Sequence, residues 1–203
     1  MIAAPEQSPE RDAALEAALA HIPCDGWTLT ALRRGLAEAG ADPAAAATLF
    51  PGGTADMIAA FCDLADRRMV AALAGPDHAG LRTSGRVRAA ILLRLEQAAP
   101  HREAARRALA ELARPRHAAL AAACTARTVD AIWAAAGDRS DDIAWYTKRA
   151  ILALVLAATT LFWLSPAGED PAALTAFLDR RLDGVARLGR LRARLACPRA
   201  RAA

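Results

Sequence analysis

Apolar residues recur along this chain at the three- and four-residue spacing of an α-helix, and no segment alternates apolar and polar residues like a strand. Leu15, Leu19 and Ile22 mark a first helix, which Pro23 should close. The longer helical segments predicted from this spacing cover residues 54–73, 84–98, 102–113, 117–136, 140–164 and 171–195. Ser140 is a predicted N-cap, and Asp170-Pro171 is the predicted start of the last helix. The pattern predicts an all-α protein of roughly nine or ten helices with no sheet.

The first 54 residues carry helix-capping signals at short intervals. Thr28, Asp42 and Thr54 are predicted N-caps, and Gly40 is a predicted helix stop. Three short helices in this space have the size of a helix-turn-helix headpiece. We therefore predict three parts, namely a headpiece over residues 1–53, a larger helical domain over 54–196 and a disordered basic tail over 197–203.

Charge is distributed unevenly along the chain. Residues 1–60 hold three arginines against eight acids, a net charge of −5. From Arg180 onward there are eight arginines against Asp183, a net charge of +7. The basic character of the protein is therefore a property of its C-terminal end, and the headpiece is acidic.

Motifs for catalysis or for a metal are missing from the sequence. No two of the four histidines are spaced to share a helix face, the HExxH and ExxH patterns are missing, and the four cysteines form no CxxC pair. No nucleophile elbow or glycine-rich phosphate loop is present. We expect no cofactor, no metal and a binding protein rather than an enzyme, although a nonlocal active site would leave no such motif.

An uncharged and mostly apolar stretch covers residues 150–164. It is shorter than the ~20 residues that cross a bilayer, so we interpret it as a helix buried in the protein. That helix is either a plain core element or one wall of a cavity for a long apolar ligand. The predicted cavity is lined by Phe61, Leu64, Ile91, Leu95, Leu112, Ile132, Leu152, Leu156 and Phe162.

Aromatic and charged residues crowd the start of the same helix. Trp145 adjoins Tyr146, which is the one tyrosine of the chain, and Asp142 and Arg149 flank them. Such residues are enriched at interface hot spots because each combines a large contact area with a polar group. Composition alone equally allows Trp145 to pack inward while Lys148 and Arg149 pair with acids.

The last predicted helix ends as a basic amphipathic segment. Its apolar and arginine positions suit an anionic membrane surface or a second subunit, so a homodimer is one alternative. The predicted membrane-surface residues are Arg187, Leu188, Arg190, Leu191, Arg194 and Leu195.

The headpiece resembles that of TetR-type regulators, which join a small helix-turn-helix domain to a helical ligand-binding domain. Trp27-Thr28 and Leu49-Phe50-Pro51 carry this resemblance. In that class the third helix contacts DNA, but here its residues 43–49 include no lysine, arginine or asparagine. Because phosphate neutralisation drives DNA binding, we expect this acidic headpiece to be repelled by nucleic acid. A transcriptional regulator that senses a hydrophobic effector remains the alternative function.

A more extensive resemblance is to the ubiquinone-biosynthesis accessory family, whose members are lipid-binding proteins of TetR-like fold. Its most specific part is Ala136-Gly137-Asp138 followed by residues 145–150, WYTKRA. Further matching segments are Pro23, Asp25-Gly26-Trp27, Phe50-Pro51-Gly52, Asp66-Arg67, Arg94-Leu95, Pro100, Arg107-Ala108-Leu109, Asp130-Ala131-Ile132-Trp133, Ser140, Asp142 and Phe177-Leu178-Asp179-Arg180-Arg181.

The resemblance implies a non-catalytic protein that binds an isoprenoid quinone precursor or another lipid and presents it to a di-iron hydroxylase. It also implies that Asp142, Trp145, Tyr146 and Arg149 form the surface that docks this hydroxylase. The acidic N-terminus has neither signal-peptide nor transit-peptide features, so we expect a cytoplasmic protein peripherally associated with the inner membrane.

Overall fold

The computed structural model describes residues 4–138 and 143–196 of the chain. Within these residues the chain forms ten α-helices, joined in places by 3-10 turns, and no strand. The all-α prediction is therefore confirmed. The helices are α1 (Pro9–Ala18), α2 (Ile22–Asp25), α3 (Leu29–Glu38), α4 (Ala46–Leu49), α5 (Gly53–Leu73), α6 (Thr83–Ala98), α7 (Arg102–Leu112), α8 (Ala118–Ala135), α9 (Ile143–Trp163) and α10 (Pro171–Ala196).

Several helix ends are fixed by the local signals that predicted them. The Thr28 hydroxyl accepts a hydrogen bond from the Ala31 amide at 3.3 Å and caps α3. The Asp42 carboxylate accepts one from the Ala44 amide at 2.8 Å, at the start of the 3-10 turn that leads into α4. After α3 the chain turns at Gly40, whose φ of 73° is the left-handed conformation that glycine adopts without strain.

Two predicted helix ends are wrong. Pro23 does not close the first helix, which ends at Ala18, but lies in the first turn of α2, where proline loses no hydrogen bond. Thr54 is not an N-cap, because α5 begins one residue earlier at Gly53. Its hydroxyl instead donates a 2.6 Å hydrogen bond to the Trp27 carbonyl. The predicted cap at Ser140 lies outside the described residues.

The chain divides into two compact units, Met1–Arg139 and Ser140–Ala203. The first unit contains α1 to α8, and its main core gathers buried residues from α1, α3, α5 and α7. The core thus continues past residue 53, so the predicted headpiece and the following helices share one packed interior. The division of the chain at residue 53 stays a prediction.

Two side chains tie the headpiece into this core. Trp27 is buried, and its Nε1 donates a 3.0 Å hydrogen bond to the carbonyl of Ala104 in α7. The buried Arg11 guanidinium lies 2.6 Å from the Asp56 carboxylate and 4.4 Å from the centre of the Phe50 ring. Because a buried charge needs such partners, Arg11 holds α1 to the start of α5.

A second polar group lies among α5, α6 and α8. Asp66 accepts a 2.8 Å hydrogen bond from Arg94 Nε and a second 2.8 Å bond from the Thr128 hydroxyl. Burial raises the pKa of Asp66, whereas its contacts with Arg94 and Thr128 act in the opposite direction. Asp66 and Arg94 also belong to the family resemblance, and the structure gives them a role in joining three helices.

The second unit pairs α9 with α10 through the turn at Pro166–Glu169. Asp170 caps α10 as predicted, since its carboxylate accepts a 2.9 Å hydrogen bond from the Ala172 amide. The Phe162 and Phe177 rings stack with centres 4.2 Å apart, which joins the two helices. Among the described residues, no single helix has the length and hydropathy to cross a membrane; only Pro43–Leu49 with Gly53–Leu73, bent by 80°, meets those limits as a pair.

Candidate partner-docking and ligand-binding sites

An aromatic and cationic group stands in the first turns of α9. The Trp145 and Tyr146 rings meet edge to face with centres 4.7 Å apart, and the Arg149 guanidinium carbon lies 3.6 Å from the centre of the Trp145 ring. Tyr146 is 73% exposed, whereas Trp145 and Arg149 are half-buried. Three of the four predicted partner residues are therefore neighbours, and the fourth, Asp142, lies outside the described residues.

The exposed face of α9 continues well beyond this group. Leu154 is 72% exposed and Leu161 is 60% exposed, although both are large apolar residues. With the exposed Ala150 and Ala157 they follow the alternating four- and three-residue spacing of a helix–helix seam. Together with Tyr146 these four residues form a surface that we call the α9 stripe.

The stripe corrects the prediction that this apolar helix is buried on all sides. Leu152, Val155 and Leu156 are buried on one side of α9, whereas Leu154 faces solvent on the other. The sequence did not predict that Leu154 and Leu161 are exposed, because a helix that is apolar on all sides does not indicate which face packs against the protein. Their helical spacing from Tyr146, with alanines at the positions between, indicates that these residues share one continuous face.

The predicted cavity residues are distributed over both units. In the first unit, Leu64 belongs to the main core, and Phe61 and Leu112 pack against it. The Phe61 ring centre is 5.1 Å from that of Trp27, so this residue contacts the headpiece. A common cavity for all nine residues stays a prediction. The other three first-unit residues, Ile91, Leu95 and Ile132, are fully or almost fully buried.

The second unit holds the remaining three predicted cavity residues. Leu152 and Leu156 are buried, and Phe162 is half-buried against Phe177. At the C-terminal end, Arg187 is exposed on α10, and the helix continues to Ala196 as the periodicity predicted. The side chains of the other predicted membrane-surface residues, from Leu188 to Leu195, lie outside the described residues.

A search of the described residues for three or more metal-ligating side chains in one place finds no such group. Among the described residues Tyr146 is a prominent exposed aromatic, and it adjoins Trp145, which carries the Arg149 guanidinium over its ring. This arrangement suits the recognition of another molecule's surface.

The fold is that of the TetR class. A crystal structure of a TetR transcriptional regulator from Nitrosomonas europaea superposes with a TM-score of 0.70, covering 88% of this chain and 99% of that one. The two sequences are 22% identical, so the match establishes the fold alone. The predicted TetR-like architecture is confirmed.

Sequence comparison then identifies the relatives. The family model described as COQ9 matches residues 118–189. Over 86% of its length the chain is 33% identical to the ubiquinone biosynthesis protein COQ9, mitochondrial, of Drosophila melanogaster and 29% identical to that of Homo sapiens. The resemblance to the ubiquinone-biosynthesis family is therefore confirmed.

This chain spans about half the length of those relatives, 54% of the Drosophila protein and 57% of the human one. Both are named as mitochondrial, which does not confirm the cytoplasmic location expected from the N-terminus. The family model covers α8, α9 and most of α10, so it includes the aromatic group and the α9 stripe.

Proposed function

We propose that this protein is a non-catalytic accessory protein of ubiquinone biosynthesis, which binds an isoprenoid quinone precursor and presents it to a di-iron hydroxylase. The names of its relatives support a role in that pathway. The observation that carries the docking step is the exposed Tyr146 beside Trp145 and Arg149, continued along α9 by Leu154 and Leu161.

Exposure and chemistry favour a protein partner at this surface. An isolated exposed leucine is unremarkable, but an aromatic residue and two leucines aligned on one helix face form an apolar patch of the kind found at protein interaction sites. The Arg149 guanidinium over the Trp145 ring adds a polar group at one end. The heptad-like spacing of the α9 stripe fits a helix of the partner packed along it.

The ligand-binding step is supported by the resemblance and by the long apolar helices of a TetR-like fold. We assign the ligand to the cavity predicted from Phe61, Leu64, Ile91, Leu95, Leu112, Ile132, Leu152, Leu156 and Phe162. Each isoprene unit contributes several buried carbons at about 0.8 kcal/mol per CH₂, so a chain of a few units suffices for micromolar affinity after ordering costs. The basic end of α10, with Arg187 exposed, would bring the protein to the inner membrane surface.

The docking test compares two variants of the full chain with purified hydroxylase. Replacing Trp145 and Tyr146 together by alanine should weaken binding at least about thirtyfold, since truncated hot spots cost about 2 kcal/mol or more. Leu154→Glu should also weaken it, because it places a charge in the centre of the stripe. Ala176→Glu, on an exposed position of α10, is the matched control and should bind like the wild type.

Two results would argue against this proposal. If the double alanine variant binds normally while keeping its helical spectrum, the aromatic group is not the docking surface. If Leu154→Glu converts a dimer of the free chain into a monomer and leaves hydroxylase binding unchanged, the stripe joins two copies of this chain instead.

A TetR-type regulator is the second candidate, favoured by the structural neighbour in Nitrosomonas europaea. The residues available for DNA contact do not favour a DNA-binding regulator. In the segment corresponding to the third helix, the exposed positions are Pro43, Ala44, Ala47 and Thr48, none of which is basic. The net charge of −5 over residues 1–60 would also oppose DNA rather than attract it.

A further inference from the structure

Two cysteines that are remote in the sequence meet inside the first unit. Cys62 lies on α5 and Cys124 on α8, and the two side chains pack in one small apolar cluster. Cys124 is 4% exposed and Cys62 is half-buried against the same small cluster, which includes Ala59 and Leu120. The packing of α5 on α8 thus brings together two thiols that are far apart in the sequence and form no CxxC motif.

Charged groups surround the pair unequally. Arg127 Nη2 donates a 3.3 Å hydrogen bond to Cys124 Sγ from the same helix. On the other side, the charge of Arg94 of α6 acts on Cys62, but Arg94 is already hydrogen-bonded to Asp66 of α5. Cys124 therefore accepts a hydrogen bond from a cation, Arg127, whereas the cation near Cys62, Arg94, is already paired with the Asp66 carboxylate.

The two thiols differ in acidity as a result. The hydrogen bond from Cys62 and the charge of Arg127 lower the pKa of Cys124 to about 7, against the effect of burial. The hydrogen bond to Cys124, together with burial, raises the pKa of Cys62. Near neutral pH a substantial fraction of Cys124 is thus the nucleophilic thiolate, whereas Cys62 remains a thiol.

We propose that Cys62 and Cys124 form a peroxide-reactive dithiol that closes into a disulfide joining α5 to α8. The Cys124 thiolate attacks one oxygen of hydrogen peroxide, the O–O bond breaks, and the released hydroxide takes a proton to become water. Cys62 sulfur then attacks the sulfenic sulfur of Cys124, and the S–O bond breaks. The second hydroxide leaves with the Cys62 proton as water, so two thiols are oxidised and one peroxide is reduced.

This bond would have a direct structural effect. It would covalently link the helix that carries Phe61 and Leu64 to the helix that carries Ile132, all of which are predicted ligand-binding residues. The oxidised protein would then hold α5 and α8 in fixed register. The dithiol itself is independent of the proposed function, because its chemistry needs only the two sulfurs, Arg127 and a peroxide.

The test uses the full chain with Cys24 and Cys197 replaced by serine, so that only the buried pair can react. After treatment with hydrogen peroxide, peptide mapping without reductant should find a cross-linked peptide joining residues 62 and 124. Thiol titration should show both thiols lost, and dithiothreitol should restore them. Persistence of both thiols, or oxidation without the cross-link, would overturn the proposal.

Further variants separate chemistry from packing. In Cys62→Ala, oxidation of Cys124 should stop at the sulfenic acid, which a dimedone probe traps. The reaction of Cys124 with peroxide should also slow severalfold at pH 7, because the pKa of Cys124 returns toward that of an ordinary thiol. Arg127→Gln should move the pH profile of peroxide reaction in the same direction. Profiles unchanged in both variants would show that neither group activates Cys124.

Discussion

Arg94→Met is expected to destabilise the protein strongly, because it leaves the Asp66 carboxylate buried without its counter-charge. Asp66 is 6% exposed, and its Oδ1 lies 2.8 Å from Arg94 Nε. Two unit charges about 4 Å apart attract by about 4 kcal/mol at an effective dielectric constant of 20. Removing one member of a buried pair typically costs about 3–5 kcal/mol, so we expect a loss of that order at pH 7.

The expected loss depends on pH in a definite direction. Burial already raises the pKa of Asp66, and removing Arg94 takes away two effects that lower it, namely its charge and its hydrogen bond. A carboxyl group whose pKa is raised by folding is favoured below its unfolded pKa, near 4, and this stability is lost as the pH rises through the folded pKa. The variant should therefore be closer to the wild type at pH 4 than at pH 7.

Urea unfolding of both proteins at the two pH values measures this difference. Adding Asp66→Asn to Arg94→Met should recover much of the stability at pH 7, because the amide is uncharged and can still accept the Thr128 hydrogen bond. An equal loss at both pH values, or no recovery in the double variant, would refute the assignment of Asp66 and Arg94 as a buried pair.

Three further predictions concern packing, DNA and the ligand. Gly35→Ala should lower the free energy of unfolding by roughly 1–3 kcal/mol, because the added Cβ would lie 2.5 Å from the Ala17 backbone. The assay is thermal unfolding, and the control is Gly184→Ala on α10, where an added Cβ meets nothing within 4 Å. The protein should not bind duplex DNA specifically, and salt-sensitive nanomolar binding to a defined operator would contradict this. Leu156→Glu should lower lipid retention without weakening hydroxylase binding, whereas Leu154→Glu, on the opposite side of α9, should do the reverse.

The parts of the fold that were predictable are those set by neighbouring residues. The caps at Thr28, Asp42 and Asp170 and the stop at Gly40 were correct because each depends on contacts within a few residues. Thr54 failed because the Trp27 carbonyl, remote in sequence, takes its hydroxyl. Local capping rules do not include such tertiary competition.

The candidate sites show the same limit. Trp145, Tyr146 and Arg149 are one turn apart, so their grouping followed from the sequence. The exposure of Leu154 and the meeting of Cys62 with Cys124 depend on which helix faces pack together. An apolar periodicity defines a helix but not, in a helix apolar on all sides, the face that remains open.

The most direct measurement of the central proposal is a native mass spectrum of the purified full chain, followed by extraction and identification of any bound lipid. The account predicts a retained isoprenoid species that Leu156→Glu reduces and Leu154→Glu does not. A spectrum showing only ligand-free protein, with no lipid in the extract and no uptake of an added isoprenoid quinone, would contradict it.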